Sequence, residues 1–228
     1  MFSAEEWTAI QLSLKVGGIA TVVAVPFAVA VAWVLARRDF WGKSLLDGVV
    51  HLPLVLPPVV TGYALLLLFG RRGVFGAFLA DHLGLVFSFR WTGAALAAGI
   101  MGFPLMVRAI RLSIEAIDVR VEQAAATLGA PPLWVFATVT LPLAVRGIVA
   151  GAVLAFAKAL GEFGATITFV SNIPGQTQTI PSAIYALTQT PGGEAGALKL
   201  SLVAAAIALG ALVISEVAVR RARRGVAA

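Results

Sequence analysis

From Val16 to Ala36 the chain runs for 21 residues without a charged side chain, and Arg37-Arg38 follow at once. About 20 apolar residues is the length at which a helix crosses the hydrocarbon core of a bilayer. Lipid offers no partner to a bare backbone amide or carbonyl, so a spanning segment must satisfy its own hydrogen bonds as a helix or in a closed barrel. The composition extends this constraint to the rest of the chain. Of its 228 residues 60% are apolar and only 12% charged, against about 25% charged in ordinary soluble domains. Glu5 and Glu6 precede the first stretch and basic residues follow it, the reverse of a cleaved secretory leader, so the stretch reads as a retained span.

The expected fold is all-α and polytopic, one transmembrane domain over 1–228 with about five spans, near 12–36, 48–70, 91–113, 143–165 and 198–219. The second stretch contains Pro53, Pro57 and Pro58, which a bundle tolerates where neighbours satisfy the freed carbonyls. Two intervals are not simple spans. Between Arg108 and Pro142, Arg111, Glu115, Asp118, Arg120 and Glu122 are threaded among apolar residues at helical spacing, and Gly129 with Pro131-Pro132 supplies a stop and a new start. This predicts a surface-lying helix, a bend and a second short helix, a coupling segment over 119–142. The other interval, 166–197, is rich in Thr, Ser, Asn, Gln, Gly and Pro, and predicts a packed polar excursion at the outer mouth.

With the N-terminus outside, eleven of the 17 Lys and Arg fall on the cytoplasmic side and five on the other, with Lys158 inside a span. That bias orients the chain with the coupling segment and the C-terminus in the cytoplasm. It also explains most of the net charge of +6: the Arg220 to Arg224 cluster after the last span is an anchor beside anionic lipid, and no nucleic-acid partner is expected. Arg71-Arg72-Gly73 reads as a solvated turn, with an acidic docking partner as the alternative.

Chemistry is scarce. There is no cysteine, two histidines cannot build a metal centre alone, and no phosphate-binding Gly-x4-Gly-Lys-Ser/Thr loop occurs. No catalytic residue, metal or resident cofactor is expected. One charged pair falls inside a span: Lys158 and Glu162, four apart and placed on one helical face. At 1.5 Å per residue they lie about 18 and 24 Å beyond Arg146, in the outer half of the bilayer. Intramembrane charges line a cavity or neutralise one another. One reading therefore places the pair on an anion path, with Lys158 attracting the substrate and Glu162 holding Lys158. The other makes it a packing device.

Val121-Glu122-Gln123-Ala124-Ala125-Ala126-Thr127-Leu128-Gly129, then nine residues, then Val139-Thr140-Leu141-Pro142, resembles the Glu-Ala-Ala loop of importer-type ABC permeases. Spacing from Gly129 to Leu141-Pro142 is kept. Gln123 stands at the strict Glu position, one place after Glu122. The resemblance implies that Glu122, Gln123, Ala124, Ala125, Gly129, Leu141 and Pro142 dock a separate ATP-hydrolysing subunit, which would itself bind ATP and magnesium.

Leu160-Gly161-Glu162-Phe163-Gly164-Ala165-Thr166, its continuation to Gly175, and Thr179-Ile180-Pro181-Ser182 are similar to the molybdate-importer branch of that superfamily, as is Gln189-Thr190-Pro191-Gly192-Gly193-Glu194. It implies a permease homodimer in the inner membrane, fed with molybdate or tungstate by an external binding protein. Lys158, Glu162, Phe163, Thr166, Thr168, Ser171 and Asn172 are the candidate path or gate. The hydroxyls and the amide there suit a tetrahedral oxyanion that must not be trapped, unless they bond their own helix backbone. The alternatives are a permease for sulfate or another oxyanion, and a stand-alone channel or secondary transporter.

Overall fold

The computed structural model describes residues 2–224, which are helical with short connections and contain no strand. Helix α1 (Ala4–Arg37) opens on a reciprocal cap: the Ser3 hydroxyl accepts from the Glu6 amide, and the Glu6 carboxylate accepts from the Ser3 amide. With this start the helix is 34 residues long, about 51 Å at 1.5 Å per residue. It begins eight residues before the expected span because Ala9 and Ile10 are buried against later helices.

The stretch 48–70 is not one straight span. It divides into α2 (Lys43–Val55) and α3 (Pro58–Phe69), which meet at 114°. The cause is local: Leu56 and Pro57 are extended, with ψ of 144° and 134°, because a residue before proline is driven out of the helical region. Asp47 and His51 on α2 also give it a polar edge. The Arg111 Nη1 donates to Asp47 Oδ1 at 3.2 Å, and His51 Nδ1 lies 2.9 Å from the Asp47 carbonyl. At the start of α2, Lys43 bonds Asp39 and holds its carboxyl below the usual range.

A short helix, α4 (Val74–Leu83), leads to α5 (Trp91–Glu115), the most enclosed span. Then come α6 (Val119–Thr127), α7 (Pro132–Val135), a π turn (Phe136–Thr140) and α8 (Leu141–Leu160). The π turn precedes Pro142, which has no amide to donate, and the widened i→i+5 bonding absorbs the gap. The fourth span therefore belongs to a helix running from Pro132 and stops at Leu160, short of residue 165. After it lie α9 (Gly164–Val170), α10 (Ile180–Thr188) and α11 (Glu194–Arg224). The side chains of Arg220 to Arg224 lie outside the described residues.

Among the described residues, α1, α5, the Pro132–Leu160 helix and α11 are each long and apolar enough to cross a bilayer, and the bent α2–α3 pair is a further apolar element with the form of a broken span or a re-entrant loop. Two apolar clusters join α1, α5 and α8 along their length. Small residues set the approach of α5 to α8: a Cβ on Gly147 would collide with Ser113, and one on Gly102 would stand 3.1 Å from the Ala155 carbonyl. In lipid, such close packing replaces the hydrophobic drive that water supplies elsewhere.

Candidate coupling segment and translocation path

Asp118 starts α6 by accepting from the Arg120 amide at 2.9 Å. The helix ends at Gly129, whose φ of +83° turns the chain through a conformation open to glycine, and Pro131-Pro132 begin α7. The product is a helix, a bend and a helix. Gln123, Ala124, Gly129 and Pro142 are exposed, and Ala125 and Leu141 are half-buried. Leu128 is 89% exposed, Leu133 79% and Trp134 63%. Three large apolar side chains exposed around one Gly-Ala-Pro-Pro bend form a surface suited to a protein partner. The sequence reading omitted them, although their place beside Gly129 was a signal.

Glu122 does not share that surface. Its Oε2 lies 2.9 Å from Arg37 Nε and its Oε1 accepts from the Thr140 hydroxyl at 2.6 Å. Arg37 Nη2 also donates to the Ile117 carbonyl at 3.1 Å. This clasp fastens the coupling segment to the end of α1, and the edge of Trp33 against Phe136 reinforces it, with ring centroids 5.5 Å apart. The expectation for Glu122 is corrected accordingly: its carboxylate is consumed inside the permease, and exposed Gln123 is the neighbour left to face outward. Arg37 and Thr140 were missed because the partners are distant in sequence and no local pattern links them.

Lys158 and Glu162 do meet, Nζ to Oε2, at 2.6 Å. They are not on one continuous helix face, since α8 ends at Leu160 and Glu162 sits in the break before α9. From there its second oxygen accepts from the Ala165 amide at 2.9 Å and caps α9. The Glu162 side chain is 1% exposed and that of Lys158 30%. The carboxylate is thus fixed by two bonds, while the ammonium keeps a side open to the outside of the chain.

The other candidate path residues are largely occupied. Thr166 donates to the Phe163 and Glu162 carbonyls just before α9 and Thr168 to that of Gly164 within it, so both hydroxyl hydrogens are spent on nearby backbone. This is the backbone-bonding alternative of the sequence reading. Ser171 ends α9 at a φ of +65°, and its carbonyl accepts from Thr177 at 3.2 Å. The Asn172 amide donates to the Ser182 carbonyl at 3.5 Å, and its buried Oδ1 has no partner. Phe163 packs on Tyr185, ring centroids 5.2 Å apart. The excursion is moored to α1 by the Ile180 amide, which donates to the Ser13 hydroxyl at 2.7 Å.

Residues 24–224 match the family described as the binding-protein-dependent transport system inner membrane component. The chain belongs to this family. It is therefore a multi-pass transport permease of the inner membrane. Among its relatives, the molybdenum transport system permease protein ModB of Escherichia coli K12 is 61% identical over 211 residues, 92% of each chain. The ModB of Haemophilus influenzae is 56% identical over the same shares. A sulfate transport system permease protein, CysW of Synechococcus elongatus, is 40% identical over 76% of this chain and 60% of its own length. The fold matches a chain of a bacterial alginate ABC transporter, with a TM-score of 0.75 at 18% identity, covering 96% of this chain and 80% of that one.

Proposed function

We propose that this permease conducts molybdate, and with it tungstate, into the cytoplasm as the membrane subunit of an ATP-driven importer. The observation that carries the proposal is the 61% identity to a molybdenum permease over 92% of both chains, against 40% to a sulfate permease over a shorter stretch. Two copies form the path on a two-fold axis, since one chain offers too few spans to enclose it. A separate ATPase dimer hydrolyses ATP and grips the exposed bend around Leu128, Gly129 and Trp134, while an external binding protein delivers the anion to the opposite face. Closure of the ATPase dimer draws the two coupling segments together. Because the Arg37–Glu122–Thr140 clasp makes that segment continuous with α1, its displacement tilts the first span and opens the outer end.

In this reading the N-terminus is outside and the C-terminus in the cytoplasm. Native chemistry favours the test: with no cysteine in the chain, single cysteines at the exposed Asp81 and Gln123 report sidedness directly. A membrane-impermeant maleimide added to intact cells is expected to label position 81 and spare position 123; the opposite pattern overturns the orientation. For the substrate, proteoliposomes holding the permease, its ATPase and the cognate binding protein are expected to take up radiolabelled molybdate only with internal ATP, with tungstate competing and sulfate in excess failing to compete. Uptake of sulfate at a matching rate, or uptake without ATP, rejects the proposal.

A further inference from the structure

The outer end contains a basic cavity that neither the coupling segment nor the Lys158–Glu162 pair explains. It has a volume of about 650 Å³, and its walls include Arg71 and Arg72 after α3, Arg90 before α5, and Gln176 from the excursion loop. Ser88 lines it while almost wholly buried, and among the described residues its hydroxyl has no hydrogen-bond partner. Between Ser88 and Arg90 the chain passes through Phe89 at a φ of +58°, a conformation a bulky residue avoids. That kink turns both neighbours onto one cavity, and backbone strain of this kind collects where side-chain placement matters. None of the three arginines has an acidic partner among the described residues.

We propose that this cavity is a binding site for a tetrahedral oxyanion at the outer face of each permease copy, separate from the path on the two-fold axis. Guanidinium groups present paired N–H donors that match two oxygens of such an anion. The Ser88 hydroxyl at the wall supplies a neutral donor to a third. A hydroxyl on the cavity wall, carried by a residue that is otherwise enclosed, suits a small anion that enters the cavity. Because the arginines are solvated, the site holds its anion loosely and exchanges it fast, raising the local concentration near the outer mouth. Two sources offer this chemistry: the free dianion that the proposed transport reaction consumes, on which this inference rests, and the phosphate of an anionic lipid headgroup.

The test uses the assembled permease–ATPase complex in nanodiscs without binding protein, and equilibrium dialysis of radiolabelled molybdate. In phosphatidylcholine discs the wild-type complex is expected to bind saturably and to lose that binding with rising salt. The triple variant Arg71→Gln/Arg72→Gln/Arg90→Gln is expected to bind about tenfold more weakly or not at all, and Ser88→Ala about threefold more weakly. Repeating the titration in phosphatidylglycerol discs separates the sources. Retained molybdate binding assigns the site to the free anion, and binding lost there but present in phosphatidylcholine assigns it to lipid phosphate in the membrane. Equal binding by wild type and triple variant overturns the site, as does absence of binding in phosphatidylcholine discs. If the triple variant keeps its molybdate binding and, in a separate pull-down, loses only its association with added binding protein, the cavity is an acidic-surface docking point and the proposal fails. Proteoliposome uptake of molybdate by wild type is scored separately, so that a wrong substrate and a wrong site give different results.

Discussion

The helix–bend–helix segment around Gly129 and the polar excursion after α8 are built in opposite senses. Around Gly129 the helices turn large apolar side chains outward, with Leu128, Leu133 and Trp134 mostly exposed, and turn the carboxylate of Glu122 inward onto Arg37 and Thr140. From Glu162 to Ser182 the polar groups are turned inward and spent on backbone: Glu162 on Ala165, Thr166 on Phe163, Thr168 on Gly164, Ser182 on Thr179. A segment that leaves apolar area uncovered is completed by whatever packs on it, whereas one that spends most of its polar groups on its own backbone is held largely from within.

The largest expected effect breaks the uncovered side of this contrast. Leu128→Asp with Trp134→Asp is expected to abolish co-purification of the ATPase subunit and lower molybdate uptake at least about a hundredfold, since buried apolar anchors at an interface are worth about 2 kcal/mol or more each. Normal membrane insertion, checked by fractionation, confines the defect to docking. Retained ATPase binding would mean that another surface does the docking.

Next in size is the satisfied side. Glu162→Gln removes the charge that neutralises Lys158 in a site only 1% exposed at the carboxylate, and breaking such a pair costs about 3 kcal/mol. Thermal unfolding in detergent is expected to show it as a clear drop in midpoint. Lys158→Met separates path from packing. If the ammonium attracts the anion, uptake falls while ATPase association stays at the wild-type level; unchanged uptake assigns the pair to helix packing alone.

A smaller effect belongs to the clasp. Its two side chains are 13% and 15% exposed, so water screens the pair in part and Glu122→Gln is expected to cost about 1–2 kcal/mol. In a double-mutant cycle with Arg37→Gln the two losses should fall short of additive by about 1 kcal/mol; full additivity would deny the contact. The ATP hydrolysed per molybdate moved is expected to rise in Arg37→Gln, because the docked segment then moves without taking α1 along. Smallest is Thr168→Val, which removes only a bond to its own helix. Uptake is expected to remain within about twofold and stability within about 0.5 kcal/mol. A tenfold loss of uptake would return Thr168 to the path.

How legible this was in the sequence follows the range of the interactions. Segments set by local chemistry were readable: the apolar runs, the bend at Gly129 with Pro131-Pro132, and the i,i+4 meeting of Lys158 with Glu162 all depend on neighbours within a few residues. The 114° break between α2 and α3 was signalled by Pro57-Pro58, yet hydropathy alone treats the stretch as one span. Long-range pairings were not legible. Arg37 with Glu122, Asp47 with Arg111 and Ser13 with Ile180 depend on how helices pack, and a charge next to a span reads first as an anchor. The end of α8 at Leu160 was hidden for a related reason: Glu162 continues the helical spacing in sequence but leaves the helix to cap α9.

Helices α1 and α11 meet near their N-terminal ends, where Lys199 Nζ lies 3.1 Å from Glu6 Oε1, and Ala9 and Ile10 share a buried cluster with Leu200. In a polypeptide made from its N-terminus, this joint cannot form until nearly the whole chain has left the ribosome. The carboxylate of Glu6 and the apolar turn behind it must wait in the membrane through the insertion of every intervening span. Completion of synthesis is thereby coupled to closure of the bundle, and a product truncated before α11 is left with an open seam for quality-control proteases to recognise.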